Sequence, residues 1–336
     1  MELGGTMLNA ARTAHRIPGD AVLSFTDEEA ADIGRVARRL AAAPEEVDTD
    51  AWVVTARAAW EDLPATFRRR VRAFRRDSGR SGALVIRGLP VDDVTLPKTP
   101  SAGGSVQRAA SVPAALLLMT ACGLGDPAAF LAEKSGALVQ DVVPVPGQED
   151  FQGNAGSVAL MMHNENAFHE HRPDFVLLLC LRPDHERVAG LLTASIREAL
   201  PLLSGRARDV LARREFSTHP PPSFGSGGGP VPRHAVLTGD PADPDVRVDF
   251  AATHGLTPTA NAVLTDLKAA LHEVSRTAQL RSGDLAIVDN RVTLHGRTAF
   301  RPRYDGRDRW LQRTFAQADL RRSRHLRPHD GYIFAG

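Results

Sequence analysis

Two cysteines in 336 residues cannot staple a chain of this length. Cys122 and Cys180 lie far apart in apolar surroundings, which reads as two free, buried thiols rather than a disulfide or a zinc pair. Long apolar runs are also missing: no stretch of about 18 such residues is present to span a bilayer, and around Arg12 and Arg16 the neighbours are polar or small, unlike a signal-peptide core. The expectation is a cytoplasmic protein without membrane contact. An excess of one charge is absent as well. The formal net charge of +1, from 41 basic and 40 acidic residues, gives no electrostatic case for nucleic acid. Arg68, Arg69 and Arg70, with Arg75, Arg76, Arg321 and Arg322, fall on or beside helical patterns and read as solvated faces. No internal repeat appears, so solenoids and propellers are excluded.

What is present suits one enlarged globular domain over 19–336, since a chain with 43% hydrophobic residues can bury a large core. Residues 1–18 lack periodicity and read as a flexible arm. Thr26 followed three residues later by Glu29 is a capping box that opens a helix to about Ala43. A further helical pattern covers 50–76 with a break at Pro64, whose ring cannot continue the ladder, so the helical part spans 26–76. Short β-branched or apolar runs at 83–86, 137–144, 157–163, 174–181, 246–250, 284–289 and 308–316 predict strands of a core over about 81–316. Helices are predicted at 113–122, 126–133, 195–203, 205–213 and 259–277. Many short strands with helices packed outside suggest a double-stranded β-helix, a cupin-like jelly roll with an open mouth. The stretch 90–111 reads as a surface connection. Another, 217–235, contains three consecutive prolines and three consecutive glycines and predicts a lid.

The chemistry concentrates in Met162-His163-Asn164-Glu165-Asn166-Ala167-Phe168-His169. On a strand, positions i and i+2 share a face, so His163 and Glu165 are able to bind one metal. His295, just after the apolar run 284–288, is the best third ligand. Two histidines and one carboxylate leave open positions, the arrangement of non-haem Fe(II) oxygenases. The same set also suits zinc, but a zinc hydrolase leaves the next feature unexplained. Arg309, Leu311 and Arg313 alternate with Trp310 and Gln312, which puts two guanidinium forks on one side of a strand. Two forks suit two carboxylates. His169 and His171 repeat the i, i+2 spacing, but Pro173 turns the chain away, so they read as structural. His254, His272, His325 and His329 have no partner at ligand spacing and read as surface residues.

Together these residues resemble the clavaminate synthase-like family of Fe(II)/2-oxoglutarate oxygenases, in its branch that hydroxylates free amino acids such as asparagine and arginine. The resemblance runs from Ser81-Gly82-Ala83-Leu84-Val85-Ile86-Arg87-Gly88 through Ala137-Leu138-Val139-Gln140-Asp141 and 163–174 to the His295 and Arg309 segment. It implies Fe(II) on His163, Glu165 and His295, with 2-oxoglutarate and O2 as cosubstrates. It further implies that Arg309, fourteen residues after His295, binds the far carboxylate of 2-oxoglutarate, and that Arg313 binds the substrate carboxylate. Glu133, thirty residues before His163, and Asn154, nine before it, are then expected at the ammonium and at the carboxylate or amide. Asp249, forty-six before His295, faces the far end of the side chain. A zwitterion needs such an acid and such a base, because buried charges must be paired.

The sequence departs from the family at two places. Arginine hydroxylases of the family use two acids two residues apart, whereas Val246-Arg247-Val248-Asp249 offers one acid and an arginine. Leu191 stands where many relatives place a threonine against 2-oxoglutarate, and Thr193, two residues on, is expected to serve instead. The implied function is hydroxylation, at C3 by default, of a free polar L-amino acid for natural-product biosynthesis. Asparagine leads, with arginine, citrulline or lysine behind it. The alternatives are a clavaminate-like cyclising or desaturating oxygenase and a non-catalytic cupin-like binding protein.

Overall fold

The computed structural model describes residues 15, 16, 18–92, 94–225 and 231–335. Thr26 caps the helix Asp27–Ala41 as the sequence predicts, its hydroxyl accepting from Glu29 N at 3.2 Å while the Glu29 carboxylate accepts from Thr26 N at 3.1 Å. Pro64 divides the next helical pattern into Asp50–Glu61 and Ala65–Arg76. A fourth helix, Val112–Leu124, is buried from Ala114 onward. Apolar on every side, it is wedged between the other three helices and a sheet, the position such a helix requires.

That sheet is the larger of two facing sheets. In hydrogen-bonding order it runs Ile333–Phe334, Asp126–Phe130, Trp310–Gln317, Phe175–Arg182, Leu285–Asp289, Ala83–Ile86, Val22–Leu23, with Gln140–Val142 also on Trp310–Gln317. The smaller sheet runs His15–Arg16, Arg276–Gln279, Gly190–Ser195, Thr293–Arg297, Leu160–His163. Side chains alternate across the larger sheet. Leu177, Leu179, Leu285 and Ile287 meet the helices, while Val176, Leu178, Cys180, Ala286 and Val288 face Leu191 and Ala278 of the smaller sheet. A third apolar cluster joins the outer side of the smaller sheet to the helices Gly205–Leu211 and Pro258–Glu273. This is the jelly roll that the pattern of short strands implies. No described helix is long and apolar enough to cross a membrane.

Several elements differ from expectation. Residues 126–133, read as a helix, form the strand Asp126–Phe130 and a turn, because antiparallel pairing of 126–128 with 315–317 overrides the local preference of an Ala-Ala pair. His15 and Arg16, expected in a flexible arm, pair in parallel with Arg276 and Thr277; residues 1–14 lie outside the described ones. The strand expected at 246–250 is Asp243–Val246, and Asp249 makes only an isolated bridge to His163. Strands Arg276–Gln279 and Thr293–Arg297 had no apolar run to announce them. Cys122 and Cys180 are buried thiols outside any disulfide, as read.

Candidate active site

His163 ends the strand Leu160–His163 and pairs directly with His295 on Thr293–Arg297, bringing the ring centroids to 4.5 Å. The approach depends on Gly296, where a Cβ would lie 2.6 Å from Leu160 O. Glu165 is two residues beyond the strand, in a turn that Asn166 completes with φ 50°. Two buried amides hold this turn against the distal histidine strand. Asn290 Oδ1 accepts from Glu165 N at 2.8 Å, and its Nδ2 donates to Glu165 O and Pro173 O at 3.0 and 2.8 Å. Asn164 donates to Asn290 O and Thr293 O and accepts from Val248 N.

The candidate donor atoms of His163, Glu165 and His295 all lie within 4.8 Å of one another. Met161 O lies 2.9 Å from His163 Nδ1; assigning that nitrogen as the donor leaves Nε2 free for a metal. His295 turns Nε2 to Glu165 Oε2 at 3.7 Å. Its buried Nδ1 has no partner among the described residues. Burial, then His163, pushes the His295 pKa down. At Glu165 burial acts upward, but Arg313, His295 and His163 outweigh it and hold the carboxyl well below its usual range. A neutral imidazole at His295 and an ionised carboxylate at Glu165 are the forms that bind metal without first losing a proton, so the set fits Fe(II).

Arg313 is buried on the strand Trp310–Gln317 and donates to Glu165 at 2.8 Å, to Glu133 and to Gln140. With its amide oxygen turned inward, Asn154 accepts from the same guanidinium at 3.2 and 3.3 Å. Glu133 precedes a left-handed pair, Lys134 and Ser135 (φ 47° and 54°). Lys134 is itself tied to Ser105 O at 3.0 Å and to Asp141 O. A cavity of about 650 Å³ joins Glu133, Asn154, His163, Glu165, Asp249 and Arg313. Asp249 uses one carboxylate oxygen to accept from Ala251 N at 2.8 Å.

Arg309 and Thr193 lie deeper. Arg309 is 6% exposed and has Phe300 beneath its guanidinium at 5.7 Å. Thr193 pairs across the sheet with His295, and its buried hydroxyl has no partner among the described residues. A buried hydroxyl of this kind next to the distal histidine, with a buried guanidinium outside any ion pair among the described residues, suits a dicarboxylate cosubstrate. Six of the nine expected residues thus line the cavity, and His295 and Thr193 join them through the pairing of their strands with His163; Arg309 packs on Phe300 behind them. His169 and His171 stand apart, packed edge-on and face-on against Phe334. Sequence reasoning missed Asn290, Asn164 and Gln140. Asn290 sits inside the segment that leads to His295, but its value lies in joining 165 to 173, which only the fold reveals.

Residues 62–315 match the family model of taurine catabolism dioxygenases TauD/TfdA. The chain belongs to this family. It is an Fe(II)- and 2-oxoglutarate-dependent oxygenase. Along 326 residues, 97% of either chain, it is 59% identical to an L-asparagine oxygenase of Streptomyces coelicolor. It is 34% identical over 261 residues to clavaminate synthase 2 of Streptomyces clavuligerus, covering 76% of this chain and 80% of that one, so the resemblance stated from the residues holds. A crystal structure of asparagine oxygenase with Fe(II), 2S,3S-3-hydroxyasparagine and succinate superposes with a TM-score of 0.92 at 58% identity, covering 94% of this chain and 99% of that one.

Proposed function

We propose that this protein hydroxylates C3 of free L-asparagine. The observation that carries the reading is its similarity, along nearly the whole chain, to an L-asparagine oxygenase. In this reading His163, Glu165 and His295 hold Fe(II), and Arg309 with Thr193 holds 2-oxoglutarate. When bound, the iron and cosubstrate supply the oxidant, consuming O2 and 2-oxoglutarate and releasing succinate and CO2. The chain's own residues choose which C–H bond is presented.

Arg313 and Glu133 are paired with each other in the cavity. An amino acid carries the same two charges, so its carboxylate takes Arg313 and its ammonium takes Glu133. Every buried charge stays paired through the exchange. Arg313 Nε is buried without a partner among the described residues and is the donor left for the incoming carboxylate, with Asn154 beside it. Anchored at this end, Cβ is the carbon nearest the metal. Asp249 has one oxygen left to accept from the side-chain amide. A guanidinium would need a second acid, and Arg247 does not provide one: its Nε and Nη2 donate to Ala167 O and Phe168 O at 2.5 and 2.8 Å. This ranks arginine, citrulline and lysine below asparagine.

The segment His219–Phe224 borders the cavity, and Phe224 packs edge-on to Phe168 at 4.7 Å. We read it as part of a cover over the substrate; residues 226–230 of the expected lid lie outside the described ones. The supply of free amino acid and 2-oxoglutarate places the reaction in the cytoplasm, with the product destined for a peptide natural product. The test is succinate release by Fe(II)-loaded protein with 2-oxoglutarate and O2 across the proteinogenic amino acids, citrulline and ornithine, with mass spectrometry of the products. Asparagine is expected to gain one oxygen at C3 with stoichiometric succinate. Turnover of arginine or lysine in preference to asparagine would sink the substrate assignment.

A further inference from the structure

Arg297 has no place in the reading above, yet its surroundings ask for a ligand. It follows His295 by two residues on the strand Thr293–Arg297 and is 4% exposed. One terminal nitrogen donates to Val158 O at 3.0 Å, while Nε is buried with no partner among the described residues. Its guanidinium carbon lies 5.2 Å from the centre of the Phe300 ring, the same ring that Arg309 approaches to 5.7 Å. Two buried cations thus share one phenyl group. Neither forms an ion pair within 4 Å among the described residues; both face the π surface of Phe300, and Arg309 feels the Asp184 carboxylate only at longer range. Burial, then Arg309, pushes the Arg297 pKa down to about 9, as expected of a cation whose neighbour is another cation.

The rung opposite Arg297 on Gly190–Ser195 is Leu191, the position where a hydroxyl is absent from this chain. Thr193 lies one rung away, opposite His295. Between the sheets, next to His295, Arg309, Arg297 and a single hydroxyl are thus the groups available to an anion. A carboxylate has two oxygens and can accept one guanidinium on each.

We propose that Arg297 is a second cation for the far carboxylate of 2-oxoglutarate, shared with Arg309. The inference rests on the assignment of Arg309 made above. It explains why two buried arginines lie side by side with no acid in ion-pair contact among the described residues: the contacting acid is the cosubstrate.

The test is calorimetric titration of the anaerobic, Fe(II)-loaded full chain with 2-oxoglutarate and with 2-oxovalerate, which has a methyl group in place of the far carboxylate. Arg297→Met should weaken 2-oxoglutarate about tenfold or more, the usual consequence of losing a charged hydrogen bond. It should leave 2-oxovalerate and Fe(II) binding close to wild type. Arg297→Lys keeps the charge without the fork and should fall between; if Arg297→Met does not fold, the Lys and Gln variants give the same ratio. An equal loss for both acids, or no loss for either, overturns the proposal and leaves Arg297 as a support for Val158. Arg309→Met separates the two assignments. If it abolishes the preference for 2-oxoglutarate while Arg297→Met does not alter it, only Arg297 is misassigned; if it leaves the preference intact, the carboxylate binds elsewhere and both readings fall.

Discussion

Asn290 shows how much of this site depends on a residue that touches no reactant. Fully buried, its amide satisfies the amide and carbonyl of Glu165 and the carbonyl of Pro173. Asn290→Ala leaves three buried backbone groups without partners, at roughly 1–3 kcal/mol for each group that water cannot reach. We expect Asn290→Ala to lose about 3 kcal/mol of stability and to bind Fe(II) about 10-fold to 100-fold more weakly, as removal of a ligand's support does. Denaturant unfolding and a metal titration check the two effects. Unchanged metal affinity in a folded variant would show that Glu165 does not rely on this amide. The same residue marks the limit of reading a sequence. That His163, Glu165 and His295 come together was legible because each is a ligand type and the first two share one strand-face spacing; the roles of Arg309 and Arg313 rest on the family resemblance. Asn290, Asn164 and Gln140 were not legible, because an amide is as ordinary in a turn as in a site. Only the partners that the fold supplies distinguish the two.

At the level of the element, the decisive contact is between two short strands, Leu160–His163 and Thr293–Arg297. Their register shifts between His295 and Arg297, and Gly296 sits where a side chain would strike Leu160 O. Gly296→Ala must push the strands apart and take His163 away from His295. Loss of metal binding is expected with most of the secondary structure retained, readable by circular dichroism beside a Co(II) titration. If the variant binds metal like wild type, the close approach is not what aligns the two histidines. Elements also explain which parts of the fold the sequence concealed. The strand Phe175–Arg182 is buried along its whole length and advertises itself as an unbroken apolar run. Thr293–Arg297 carries a histidine, a glycine and an arginine because it lines the site, and so lacks the alternation that marks a strand. Asp126–Phe130 is strand only through partners nearly two hundred residues away. Function erased the signal in the first case and distance hid it in the second.

For the whole molecule, the three apolar clusters divide the work. One fixes four helices on the larger sheet, one fills the space between the sheets, and one supports the smaller sheet from outside. Arg297 and Arg309 are buried without an ion pair among the described residues, so ligands that bring negative charge should tighten the entire fold. Fe(II) with 2-oxoglutarate at about 100 times its dissociation constant is expected to add about 2.7 kcal/mol and to raise the unfolding temperature by several degrees. Chelation with EDTA should return it to the apo value, and 2-oxovalerate should give a smaller rise. Thermal scans of the four states, anaerobic throughout, test this; no rise with 2-oxoglutarate would mean that the buried arginines are neutralised in some other way.

In the assignment proposed above, the groups for iron and cosubstrate stand apart from most of those for the substrate in a way that matters for descent. His163, His295 and Thr193 stand on strands of the two sheets, Arg309 adjoins one and Glu165 follows one by two residues; of the substrate groups, Arg313 alone shares a strand with them. Glu133, Asn154, Asp249 and Phe224 stand on turns or short helical loops at the rim. Loops accept exchange and insertion that paired strands refuse. A lineage built on this scaffold can therefore change its diet by rewriting the rim, one loop at a time, while its inherited handling of oxygen passes on untouched.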